Sequence, residues 1–160
     1  MLDHDDDRGS VGLILNRPTD QKIGSLPHMP PNLVEQFSNS TIYFGGPVDM
    51  DRMTSLHNIP GVPGSEEICP GIYAGGFENL ADVVSKGGHE ESHVRFEHGH
   101  AAWGKGQLAK EIKANSWYLA SASPDLVTGP CLRLPVPLWV QILDLMGDGH
   151  KQVSLLPTDN

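Results

Sequence analysis

The 160-residue chain has only two cysteines, Cys69 and Cys131. Two are too few for a disulfide framework, and no C-x-x-C pair supplies a metal clip. Both read as reduced, buried structural thiols. Basic residues are scarce too. Eleven Lys and Arg stand against 20 Asp and Glu, a formal net charge of −9. That balance excludes a general nucleic-acid binder, which needs a basic footprint, and disfavours adhesion to anionic membranes. No stretch approaches the ~18 consecutive apolar residues of a membrane-spanning helix. Residues 1–7 hold an acidic cluster and no apolar run, so they read as neither a signal peptide nor a transit peptide. The phosphate-cradling and nucleophile-elbow signatures are also missing: no G-x-x-x-x-G-K-[ST], no G-x-G-x-x-G after a strand, and no G-x-S-x-G.

Glycine and proline are plentiful, near one residue in five, which predicts many turns. Between them lie short patterned segments. Val11 to Leu15 reads as a buried strand stopped at Pro18, and Thr41 to Phe44 as a second, closed by Gly45-Gly46-Pro47. Residues 19–32 read as loop, Met53 to His57 as a strand, 58–70 as a long connection and Ile72 to Ala74 as a strand. Phe77, Leu80 and Val84 recur at helical spacing, and Gly87-Gly88 ends that helix. His93 to His98 reads as a strand with Val94 and Phe96 on one face. Leu108 and Ile112 mark a helix over about 105–114. Trp117 to Ala120 is a strand candidate. Trp139, Ile142, Leu143 and Met146 mark a last helix from near Pro137 to Gly147. Trp103, Trp117 and Trp139 each sit among apolar residues and read as parts of one buried core. Strands and helices alternate without a strict βαβ rhythm, which predicts one mixed α+β domain over 1–147 and a flexible polar tail over 148–160.

One catalytic motif matches letter for letter. His89-Glu90-Glu91-Ser92-His93 is H-E-x-x-H, in which a helix presents two histidines to one Zn²⁺ and the glutamate works on the bound water. A metal-dependent hydrolase using His89, Glu90 and His93, with Glu111 as a further ligand, is therefore the alternative function. The context argues for a solvated loop instead, because Gly87-Gly88 precedes the motif, a strand follows, and the five residues offer nothing apolar to pack. The expectation is no metal and no cofactor.

A different set of residues favours ligand binding. Asn16-Arg17-Pro18 and Gly45-Gly46-Pro47 each close a strand, where backbone N–H groups and a guanidinium can converge. Gln107 and Glu111 share one helix face. With His57 and Trp103 they form the candidate pocket. The competing reading is structural: glycines in tight turns, Arg17 paired with Glu111 or another acid, and Trp103 filling the core.

Three stretches together resemble the AlgH/YqgE family of bacteria and plants. They are Gly12-Leu13-Ile14-Leu15-Asn16-Arg17-Pro18-Thr19; Tyr43-Phe44-Gly45-Gly46-Pro47-Val48 with Leu56-His57 after it; and Trp103-Gly104-Lys105-Gly106-Gln107-Leu108 with Glu111-Ile112 and Trp117. The resemblance runs from about residue 2 to 147. It departs at Gly99-His100 and Ala101-Ala102, where the family's usual residues are Gly-Tyr and a small residue followed by Gly. The family also has a strand ahead of Met1, so the chain reads as a shortened member. The resemblance implies a bent mixed sheet forming a partial barrel with flanking helices. It further implies a non-catalytic, regulatory protein with a link to transcription but no DNA-binding motif. The expected partners are a small ligand or a protein, with neither nucleic acid nor membrane, and self-association through the sheet edge at Val11 to Leu15. The expected setting is intracellular and soluble, in the cytosol, or in the plastid for a plant member.

Overall fold

The computed structural model describes residues 1–128, 138–147 and 149–150. Eight strands form one open sheet: β1 (Asp3–Asp5), β2 (Gly9–Gly12), β3 (Pro18–Lys22), β4 (Thr41–Phe44), β5 (Val48–His57), β6 (Ser65–Cys69), β7 (Ile72–Gly75) and β8 (Val94–Trp103). Five helices lie among the described residues: α1 (Pro31–Phe37), α2 (Phe77–Gly87), α3 (Gln107–Lys113), α4 (Pro124–Thr128) and α5 (Leu138–Leu145). The path runs β1-β2-β8-β5-β7-β6, with β4 pairing β8 and β3 pairing β4. Among the described residues, only the β4–β8 pair is parallel. The mixed α+β class is as the sequence implies, and the sheet does not close into a barrel. No helix among the described residues is long and apolar enough to cross a membrane.

β8 is the axis of the fold. Over Phe96 to His98 it lies between β4 and β5, and over Ala101 to Trp103 it pairs β2. Gly99 sits at the handover with φ +66°, and a Cβ there would meet the Gly46 carbonyl oxygen at 2.3 Å and that of Val48 at 2.9 Å. Only glycine permits this approach. One face of the sheet carries Ile42 and Phe96 and is covered by α1 and α2 through Leu33, Phe37, Leu80 and Val84. Phe96 meets Phe37 and Phe77 edge to face, at 5.2 and 5.9 Å between ring centroids. Arg95 and Glu97 alternate with Val94 and Phe96, so they project to the opposite face.

Several elements differ from the sequence expectation. Residues 19–32 are not all loop, since β3 begins at Pro18 and α1 at Pro31. A proline at a helix N1 position starts a helix as readily as it breaks one, and Leu33 and Phe37 form the buried face. β6 lies within the stretch read as a connection. The expected strand Val11 to Leu15 stops at Gly12; residues 13–15 leave the ladder, and the Ile14 N–H donates to the Gly45 carbonyl at 2.9 Å. The sheet edge is therefore not at Val11 to Leu15. β2 is flanked by β1 as well as β8, and β1 is a three-residue edge carrying Asp3, His4 and Asp5. Trp117 to Ala120 forms no strand, because the Trp117 side chain turns back to α3. Cys69 is exposed rather than buried, and Cys131 and most of the 148–160 tail lie outside the described residues.

Candidate functional site

Glu111, on α3, gathers the residues that matter most. Its Oε2 accepts the indole N–H of Trp103 at 3.0 Å and that of Trp117 at 2.8 Å, while Oε1 accepts Gln107 Nε2 at 2.9 Å. Gln107 Oε1 accepts the Gly104 N–H at 3.0 Å, which fixes the turn between β8 and α3. The two indoles meet edge to face with centroids 5.8 Å apart. Donation by Trp117 first, then by Gln107 and Trp103, holds the Glu111 carboxyl below its usual range against partial burial. The i, i+4 spacing of Gln107 and Glu111 announced this pair; the two tryptophans are the addition. Trp117 is 46% exposed, so the three tryptophans do not form one buried core. Trp103 and Trp139 are half-buried.

Beside the clamp lies an apolar cavity of about 610 Å³, walled by Leu13, Leu15, Trp103, Leu108, Ile112 and Leu119. Asn16 and His4 supply polar groups on its wall. His4 is oriented by Ser10, whose Oγ lies 2.7 Å from Nδ1. Trp117, Tyr118 and Leu119 edge this cavity while facing solvent, Leu119 being 68% exposed. A second cavity of about 600 Å³ shares Met1, Leu13 and Leu15 with the first and extends to Leu56 and Ile72.

Apart from Asn16, which is on the cavity wall, the other candidate residues sit elsewhere. Asn16, Arg17 and Pro18 are exposed, and Arg17 packs its guanidinium 5.3 Å from the Phe44 ring centroid rather than on Glu111. Gly45 and Gly46 are pressed on β8, where a Cβ on Gly45 would meet the Gly99 carbonyl oxygen at 2.5 Å and one on Gly46 the His100 carbonyl carbon at 2.2 Å. Pro47 is exposed beside them. His57 is fully buried and stacks on Tyr73 at 5.7 Å, its Nδ1–H donating to the Ile59 carbonyl at 3.0 Å. Burial lowers its pKa against the pull of the Ile59 and Gly75 backbone, which keeps the ring neutral.

Residues 89–93 do not form the helix that the zinc motif requires. Gly88 closes α2 with φ +68°, Glu90 is extended, and Glu91–His93 is a single 3₁₀ turn. Among the described residues, no three His, Cys, Asp or Glu side chains are placed to hold a metal ion.

The sequence reading passed over a second cluster. Arg95 and Glu97 are 5% and 0% exposed, and their charged groups approach to 3.3 Å. Arg95 also donates to the Leu15 carbonyl and stacks over Tyr43, 3.8 Å from the ring centroid. Burial pushes the Glu97 carboxyl up to about 8, against the opposing pull of Arg95. The signal was two charges at i, i+2 inside an apolar strand, which places both on one buried face.

Comparison with known proteins agrees with this architecture. A UPF0301 protein of Chlorobium chlorochromatii is 33% identical over 159 residues, which are 98% of this chain and 80% of the relative. A crystal structure of a Corynebacterium diphtheriae protein superposes with a TM-score of 0.75 at 20% identity, covering 96% of this chain and 79% of that one. The solution structure of the AlgH protein from Pseudomonas aeruginosa gives a TM-score of 0.65 at 22% identity, covering 99% of this chain and 82% of that one. The family described as AlgH-like matches residues 1–151. With the three sequence motifs now placed around β8 and α3, the chain belongs to the AlgH-like family.

Proposed function

We propose that this chain is a non-catalytic binding protein with a regulatory role, and that it holds a small apolar ligand in the cavity beside Trp117 to Leu119. The observation that carries the reading is the Glu111 clamp, which fixes two tryptophans at the mouth of an apolar cavity of about 610 Å³. That volume lies within the ~300–1,000 Å³ range of small-molecule sites. The nearby carboxylate is committed to three donors and kept ionised, which suits positioning rather than proton transfer. His57, the neutral imidazole of the candidate set, lies buried away from this cavity. A ligand that contacts the half-exposed Trp117 and Tyr118 would alter the surface offered to a protein partner, which is how binding becomes regulation.

Titration with the neutral fluorophore N-phenyl-1-naphthylamine tests the reading. It predicts saturable binding at one site, quenching of tryptophan emission, and loss of binding in Leu119→Asp, which sets a charge at the exposed rim. Binding that fails to saturate, or that Leu119→Asp leaves unchanged, contradicts it.

A further inference from the structure

The opposite end of β8 offers a polar cavity of about 370 Å³, with Lys22, Thr41, Tyr43, Ser92 and Arg95 on its walls. It lies where the parallel strands β4 and β8 begin, below the turn that spells the H-E-x-x-H motif. In a chain of net charge −9, two cations and several hydroxyl groups converge on this one space. Among the described residues, Glu91 is the single acid on its wall, and its Oε1 accepts Gln36 Nε2 at 3.2 Å.

The two cations are held in place. Arg95 is 5% exposed, donates to Glu97 and to the Leu15 carbonyl, and sits over the Tyr43 ring, 3.8 Å from its centroid. Lys22 Nζ donates to Thr41 Oγ1 at 2.6 Å. A fixed guanidinium loses little entropy when it meets an anion. Burial favours the neutral form of Glu97, so the Arg95 charge is not fully cancelled from behind.

We propose that this cavity binds a small phosphorylated molecule, with the phosphate between Lys22 and Arg95 and hydroxyls of Ser40 and Thr41 completing its oxygen contacts; the Ser92 hydroxyl already donates to Glu90 at 3.0 Å. A doubly charged tetrahedral anion matches two cations and several hydroxyl donors better than a planar carboxylate does. A volume of about 370 Å³ leaves space for a compact organic group beside the phosphate. The chain's overall negative charge disfavours a polyanion such as nucleic acid. This site is separate from the apolar cavity, so either proposal stands without the other.

The test is an amide ¹H–¹⁵N NMR titration of the whole chain with inorganic phosphate at constant ionic strength, with acetate as the control anion. The expected result is saturable shifts at Thr41, Ser92 and Val94 with phosphate and much smaller ones with acetate. Lys22→Ala removes an exposed side chain and should weaken phosphate binding at least about tenfold, as loss of a charged hydrogen bond does. Glu91→Gln removes the lone acid and should tighten binding. Shifts that never saturate, equal responses to acetate and phosphate, or a Lys22→Ala affinity equal to wild type would each overturn the proposal.

Discussion

Trp117 hangs its indole N–H on Glu111 across 2.8 Å, and that bond turns a segment with a strand's composition into the rim of a cavity. The acceptor oxygen is shared with Trp103, so one carboxylate joins the end of β8, α3 and the irregular stretch beyond it.

Glu111→Gln should release this arrangement without unfolding the domain. Trp117 emission should shift to the red, amides of 117–120 should exchange faster, and the thermal midpoint should fall by about 2–4 °C. A blue, unchanged emission spectrum would show that Trp117 is held by something else.

The clamp also has an acid limit. The Glu111 carboxyl is held below its ordinary 4.5, so its folded form keeps the charge where the unfolded chain begins to protonate. Its contribution is present above that ordinary value and is lost as pH falls through the lowered one. Trp117 emission should therefore hold steady down to about pH 4.5 and redden only below it. Reddening already near pH 6 would contradict the assignment.

Glu97 should behave in the opposite sense. Its folded pKa is raised to about 8 from 4.5, so across that interval the folded state binds a proton that the unfolded state does not. Stability then falls as pH rises between these values. Glu97→Gln copies the neutral form, so its thermal midpoint should decline less than wild type between pH 6 and 9. Should the variant instead lose about 3–5 kcal/mol at every pH, the pair is ionised throughout.

Much of the fold was legible because its signals are local. Phe77, Leu80 and Val84 located α2, and the β-branched and aromatic run Thr41 to Phe44 matched β4 residue for residue. The errors arose where tertiary contacts decide. Pro30-Pro31 resembles a breaker until Leu33 and Phe37 find the sheet, and Leu13 to Leu15 looks like a strand until Ile14 bonds to Gly45 instead. Of the candidate site, Gln107 and Glu111 could be read from helix spacing, and Asn16 and Trp103 do share the cavity they help to wall. The roles of Trp117 and of Leu13 depend on a chain path that no local pattern encodes.

Gly99 tests the account of β8. Gly99→Ala places a Cβ 2.3 Å from the Gly46 carbonyl oxygen at φ +66°. The clash and the left-handed strain together should cost about 3 kcal/mol or more. Gly61→Ala, at φ +74° but with nothing within 4 Å, should cost only about 1 kcal/mol. Chemical denaturation of both variants measures the difference, and equal losses would show that the close approach at Gly99 is not what fixes that residue.

The apolar cavity beside the Glu111 clamp is the proposed ligand site. The most direct test is methyl NMR of Leu-, Ile- and Val-labelled protein titrated with N-phenyl-1-naphthylamine. Methyl signals of Leu13, Leu15, Leu108 and Ile112 should move together and saturate, while Ile42 of β4 and Val84 of α2, in the core between sheet and helices, stay fixed. Saturable shifts centred on Ile42 and Val84, or none at Leu13 and Ile112, would contradict it.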